Sequence, residues 1–184
     1  MAKTYDRIDD RIRDFIAQQK MFFVASAPRG DSGHINVSPK GYDSFAVIDD
    51  HQVAYADLGG SGIETVAHLR ENGRITFMFC AFDGPANILR LYGTGRVVQF
   101  NEPGFEEGMK LFPNIERARN IIYADITRIQ DSCGWGVPFY EFKGERDQLS
   151  RAINHMEESA WQEKRLTSNA ESVDGLPGLL RQPE

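Results

Sequence analysis

The stretch MFFVASAPRGDSGHINVSPKG, residues 21–41, decides the fold class. MFFVASA (21–27) reads as a buried strand, PRGDSG as a turn, and HINVS (34–38) as an alternating strand, so the three make a hairpin. The second strand runs into Ser38-Pro39-Lys40-Gly41. Proline has no amide hydrogen, so Pro39 must end the ladder or lie at a sheet edge. Alternation puts Asn36, Ser38 and Lys40 on one face. An amide, a hydroxyl and an ammonium together suit an anionic or carbonyl-rich ligand. A solvated strand face with a turn after it is the other reading of the same residues.

Working outward, residues 5–20 place Ile8, Ile12, Phe15 and Ile16 at helical spacing with charges opposite, which predicts an amphipathic helix. On the other side, SFAVID (44–49) and QVAYAD (52–57) form a second hairpin around Asp50-His51. A short helix is expected over IETVAHLREN (63–72), then a buried strand over RITFMFCAF (74–82). The long strand ILRLYGTGRVVQF (88–100) contains Gly93 and Gly95, which mark a bend or a close approach of backbone. EPGFEEGMKLF reads as a short helix, NIIYADITRIQ (120–130) as a strand and DSCGWGVPFYEF as an aromatic loop. A charged helix over 145–165 completes one domain, 1–166, with an extended tail over 167–184. Six or seven strands on short turns, flanked by helices, describe a mainly β, α+β protein built on a small antiparallel barrel.

With 184 residues, 41% hydrophobic and 26% charged, the chain is long enough for a real core and has the balance of a soluble protein. Its start, MAKTYDRIDDRIRDF, is too charged for a signal peptide, and no apolar run approaches the ~18 residues that span a bilayer. A cytoplasmic protein without membrane contact is expected. A net charge of -6, with Lys and Arg scattered, argues against a nucleic-acid partner but leaves room for a positive pocket. Cys80 and Cys133 have no metal-ligand spacing and read as reduced thiols, and the four histidines share no metal spacing either. No nucleophile, base and orienting group form a set.

A second constellation is YADLGGSGIET (55–65): a strand ending in Asp57, a Gly-rich turn carrying Ser61, and a helix with Thr65 in its first turns. Free amides, a flexible turn and hydroxyls make a ready phosphate site. It is neither a Walker loop nor a dinucleotide fingerprint, and an ordinary helix cap has the same composition.

The ordered set NVSPKG, YADLGGSGIETVAHLRENGRITFMF and LRLYGTGRV resembles the pyridoxamine 5'-phosphate oxidase-like family of FMN-binding split barrels. The likeness covers roughly residues 22–98, and QDSCGWGVP is similar to a later element of one branch. It implies a six-stranded antiparallel split barrel, usually a homodimer with two FMN sites at its interface. Carried over, the strand ending in Ser38, Pro39 and Lys40 lies along the flavin ring and ribityl chain, with Asn36 on the same face. Asp57, Ser61 and Thr65 belong to the phosphate-binding segment, and Arg90 to a strand approaching the flavin. A positive group such as Lys40 or Arg90 near the N1 and C2 edge would stabilise reduced flavin. Trp135, Phe139 and Tyr140 are candidates to stack on flavin or substrate, or to close the dimer.

Two departures matter. The phosphate segment reads GGSGIET where pyridoxamine phosphate oxidases carry an Arg-Lys pair, and no Arg-x-His motif for their substrate is found. The expectation is therefore a flavin-dependent oxidoreductase acting on a small molecule other than a B6 vitamer. A deazaflavin cofactor, a haem- or flavin-binding module without turnover, and a cofactor-free homodimer of the same fold are the alternatives.

Overall fold

The computed structural model describes residues 2–182. Its elements in chain order are β1 (Lys3–Tyr5), α1 (Asp10–Gln18), β2 (Phe22–Ser26), β3 (Asn36–Lys40), β4 (Phe45–Val47), β5 (Gln52–Asp57), α2 (Glu64–Asn72), β6 (Arg74–Cys80), β7 (Ile88–Gln99), α3 (Phe105–Met109), β8 (Asn120–Ser132), α4 (Gln148–Asn154) and α5 (Glu158–Ser168). Seven strands hydrogen-bond in the order β3-β2-β6-β7-β8-β5-β4, every pair antiparallel, and β1 adds to β8 off this path. The expected six strands are therefore seven, with a short eighth. The sheet curls into a split barrel with helices outside it.

Alternation sorts the two faces. Phe22 and Val24 of β2, Phe77 and Phe79 of β6, Leu89 and Leu91 of β7 and Ile129 of β8 point inward. The rings of Phe22, Phe45, Tyr55, Phe77 and Phe79 pack edge to face or stacked at the centre of that core. β5 is buried on both faces because Val53 and Tyr55 join the main core while Ala54 and Ala56 meet a second cluster with Phe105, Phe112 and Ile121. That continuous burial explains its nearly unbroken apolar sequence.

β7 and β8 are long enough to serve two parts of the sheet, and the bend between them falls at Tyr92/Gly93. A Cβ on Gly93 would overlap the Asp125 carbonyl, so the residue there is glycine for lack of space. At Gly95 the missing side chain admits Leu69 of α2, which lies across β7. α2 ends where Gly73 turns left-handed at φ 72° and donates to the Leu69 carbonyl at 3.0 Å.

Three expectations need correction, and one pair of alternatives is decided. The first helix starts at Asp10, because Asp9 caps it through the Ile12 amide, and residues 3–5 pair with β8 instead. The helix over 145–165 is two helices, broken after Asn154, with α5 running on to Ser168. Of the two alternatives for Pro39 the edge holds: it lies inside β3, opposite Phe23, and β3 is an edge strand. The stretch after Ser168 folds back on its own chain: Leu179 is buried in the main core, its amide and that of Gly178 bond to Asn169 and Ala170, and Gln99 exchanges hydrogen bonds with Leu180.

Candidate functional site

The seam of the barrel, where β3 faces the end of β5, holds a charged cluster built around Asp57. Asp57 is the last residue of β5 and only 1% exposed. A buried carboxylate requires partners. Lys40 Nζ donates to Oδ1 at 2.9 Å, and Arg119 Nε and Asn120 Nδ2 donate to Oδ2 at 2.9 and 3.3 Å. Burial alone would push this carboxyl up, but Arg119 first and Lys40 second outweigh it and hold Asp57 well below the usual carboxylate range. Arg119 is itself 4% exposed, and Lys40 reaches the seam with its side chain 19% exposed. The Lys40 ammonium also stands 5.8 Å from the centre of the buried Tyr55 ring.

A chain of neutral donors runs beside the ions. Ser38 Oγ donates to Asn36 Oδ1 at 3.0 Å, and Asn36 Nδ2 donates to Thr65 Oγ1 at 2.9 Å, tying β3 to the first turn of α2. Alternation on β3 and the helix entry after the glycine turn bring these three side chains to one place.

α2 starts without a cap. Ile63 occupies the cap position and makes no side-chain hydrogen bond, and the first backbone bond inside the helix is from Ala67 to the Ile63 carbonyl. The amides of the first turn are thus left to another acceptor. That first turn borders a cavity of about 140 Å³ whose wall includes Ser38, Lys40, Asp57, Gly60, Thr65 and Arg119. Glu64 also lines it and accepts from the Val173 amide of the folded-back tail at 3.3 Å. The cavity therefore combines helix-end amides, two hydroxyls and two cations with two carboxylates.

Of the residues singled out in the sequence, Asn36, Ser38, Lys40, Asp57 and Thr65 gather here. Ser61 sits on the adjoining turn, exposed, its carbonyl accepting from Asn169 at 3.2 Å. Pro39, Arg90 and Trp135 do not join them. Pro39, Phe23, Met78, Arg90 and Gln130 form one cross-strand row, whereas Lys40, Phe22, Phe79 and Leu89 form the next. Adjacent rows face opposite sides, so Arg90 and Pro39 point outward while Lys40 points in. The Arg90 guanidinium donates to Ser132 Oγ at 3.1 Å. Trp135, 86% exposed, stands on the loop after β8, whose Gly134 is pressed against the Asn87 backbone. Exposed Cys133 is on the same loop, and Cys80 is buried, its thiol pushed up by burial.

Sequence reasoning missed Arg119, Asn120, Arg165 and Asn169. Arg119 had one signal: an aspartate closing the apolar strand QVAYAD requires a buried cation, and Asp57 pairs in register with Asn120, next to Arg119. Arg165 and Asn169 had none, because they reach the turn from α5 and its end, more than a hundred residues away. Among the described residues no group of His, Cys, Asp and Glu forms a metal site, and no helix is long and apolar enough to cross a membrane.

The residues present fit an FMN phosphate at the helix end, since open amides, hydroxyls and cations meet there beside glycines that leave room. Comparison with known proteins agrees with the fold. Two crystal structures of HupZ from Group A Streptococcus, one of them a point variant, superpose at TM-scores of 0.53 and 0.55. At 22% and 23% identity they cover 66% and 68% of this chain and 91% and 99% of theirs. A curated relative from Aspergillus flavus, the pyridoxamine 5'-phosphate oxidase family protein ustO, is 41% identical over 193 residues, covering 95% of this chain and 77% of the relative. The family model for pyridoxamine 5'-phosphate oxidase matches residues 8–133, from the first core isoleucine to the end of β8. Split barrel, matched span and relative agree, and the chain belongs to the pyridoxamine 5'-phosphate oxidase family.

Proposed function

We propose that this protein binds FMN and uses it as a flavin-dependent oxidoreductase on a small molecule, working as a homodimer. The observation that carries the reading is the uncapped start of α2, opening with the glycine turn onto a cavity that also holds Lys40 and Arg119. A phosphate there would accept from first-turn amides and from the Ser38 and Thr65 hydroxyls, with Lys40 and Arg119 supplying charge. Bound FMN would supply the hydride chemistry; the chain's part is to hold and orient it and set the charge near the ring. Lys40, on the β3 edge with its ammonium positioned by Asp57, is assigned to the phosphate end of the cofactor.

The outward groups belong to the second half of the reading. Ile35 and Val37 of the β3 edge, Trp135, Phe139, Tyr140 and Phe142 are large apolar side chains left exposed. Such surface on one chain supports an isologous dimer in which the outer face, with Arg90 and Trp135, meets its copy. B6 oxidation is not proposed, because the turn carries no cation of its own and no Arg-x-His is found.

The test is an absorption spectrum of purified protein, repeated after adding FMN and desalting. Retained flavin bands that bleach with dithionite or a nicotinamide donor support the reading; a colourless protein that releases all added FMN overturns it. Gel filtration at the mass of one chain would remove the dimer.

A further inference from the structure

The turn at Gly60 carries more positive charge than its own chain uses. Three side-chain donors converge on the single carbonyl oxygen of Gly60: Arg165 Nη1 at 2.9 Å, Asn169 Nδ2 at 3.1 Å and Arg119 Nη1 at 3.3 Å. A carbonyl has two lone pairs, so one donor is in surplus. Asp57 is already engaged through both oxygens, by Lys40 on one and by Arg119 and Asn120 on the other. Among the described residues Arg165 bonds no carboxylate, and its Nε is buried without a partner. Two guanidiniums pointing at one neutral oxygen repel each other. Burial, and after it the charge of Arg119, push the Arg165 pKa down. The guanidinium stands 3.2–3.7 Å from where a Cβ of Gly59 would lie, so the glycine turn admits it to the backbone.

We propose that Arg165 and Arg119 form an anion subsite beside Gly59 and Gly60, and that it takes the phosphate monoester of a flavin bound in the adjoining cavity. The inference rests on the flavin reading above and adds to it the source of the missing charge. The Gly-rich turn has no cation, and Arg165 comes from α5, outside the span that the family model matches. A dianion with three acceptor oxygens relieves the repulsion between the forks, partners the surplus donor and lies beside the open amides of α2. A monocarboxylate would neutralise only one of the two charges. Arg165 is thus a binding residue for the phosphate, and Asn169 holds the turn by bonding the Gly60 and Ser61 carbonyls.

The experiment titrates FMN and riboflavin, which differ only in the phosphate, into the full chain and follows quenching of flavin fluorescence. Wild type is expected to prefer FMN. Arg165→Gln is expected to lose about tenfold or more in FMN affinity with riboflavin unchanged, and Arg165→Lys to recover part of the loss. Arg181→Gln, an exposed arginine paired with Glu163, serves as the control and should change neither. Equal loss of both flavins in Arg165→Gln, or no loss of FMN, overturns the subsite. Should Arg165→Gln not fold, inorganic phosphate on wild type decides: competition with FMN and not with riboflavin supports the subsite, and competition with neither sinks it. A protein that binds no flavin but gains an Arg165-dependent rise in melting temperature with inorganic phosphate keeps the subsite and loses the flavin reading. Binding of neither flavin nor phosphate overturns both.

Discussion

The seam around Asp57 and the outer surface around Trp135 carry the two parts of the proposed function, and they are made in opposite ways. At the seam the carboxylate is buried and partnered: Asp57 is held by Lys40, Arg119 and Asn120. On the outer surface large aromatics project from a loop, Trp135 being 86% exposed and Tyr140 leaning on Phe82. The contrast teaches that the seam is a finished part of the folded chain, whereas the outer surface is the part that the proposed dimer or ligand would have to cover. A buried ion network holds its geometry at a cost of desolvation, whereas exposed aromatics cost little until they are covered.

The largest effect that would sharpen this contrast is Asp57→Ala. It leaves Lys40 and Arg119 without their carboxylate, and a loss of about 3–5 kcal/mol in urea unfolding is expected. A loss under ~1 kcal/mol would mean the seam is not the rigid half.

Next is acid. Because the folded Asp57 carboxyl titrates below the unfolded one, its contribution is complete above about pH 4 and fades as pH falls toward the folded value. The unfolded chain takes up the proton first, so stability drops with falling pH. Melting temperatures from pH 6 to pH 2.5 should show a steeper acid limb for wild type than for Asp57→Asn. Parallel limbs would remove Asp57 as the cause.

Lys40→Met keeps the stem and Arg119 but removes one charge from the seam. Stability should fall by about 1–3 kcal/mol and retained FMN should weaken by roughly tenfold. A protein that keeps its flavin as wild type does would take Lys40 out of the binding role. The smallest effect on the monomer is predicted for Trp135→Ala: stability within ~0.5 kcal/mol of wild type, with the dimer lost on gel filtration. A large loss of stability with the dimer intact would break the distinction between the halves.

The core strands were legible because burial enforces alternation. β2, β4, β5, β6 and β7 each fall within the stretch whose pattern announced it, and β3 and β8 run two residues past theirs. Local signals also found Asn36, Ser38, Lys40 and Thr65, since strand parity and a glycine turn before a helix are properties of neighbouring residues. Arg90 and Trp135 were drawn toward the same ligand by likeness to a family; parity then divides Arg90 from Lys40 within one chain, and Trp135 stands exposed on the loop after β8. The break between α4 and α5 escaped because the charged segment over 145–165 contains few apolar residues to set a period. The return of the tail onto Ile63 and Gln99 escaped because nothing in GLPGLL names its partner.

Read alone, the sequence determined an antiparallel barrel, its edge at Pro39 and a glycine turn opening a helix, with an anion site and an ordinary cap both open. Periodicity, proline chemistry and glycine turns act over a few residues and can be read there. Only the tertiary structure decided which charges meet at the seam. Asp57 is joined by Arg119 through a strand pairing and, across Gly60, by Arg165 through a helix a hundred residues on. The reason is physical: burying a carboxylate requires cations but does not specify from which part of the chain they come, and that choice is made by the packing of α5 and β8 around the turn.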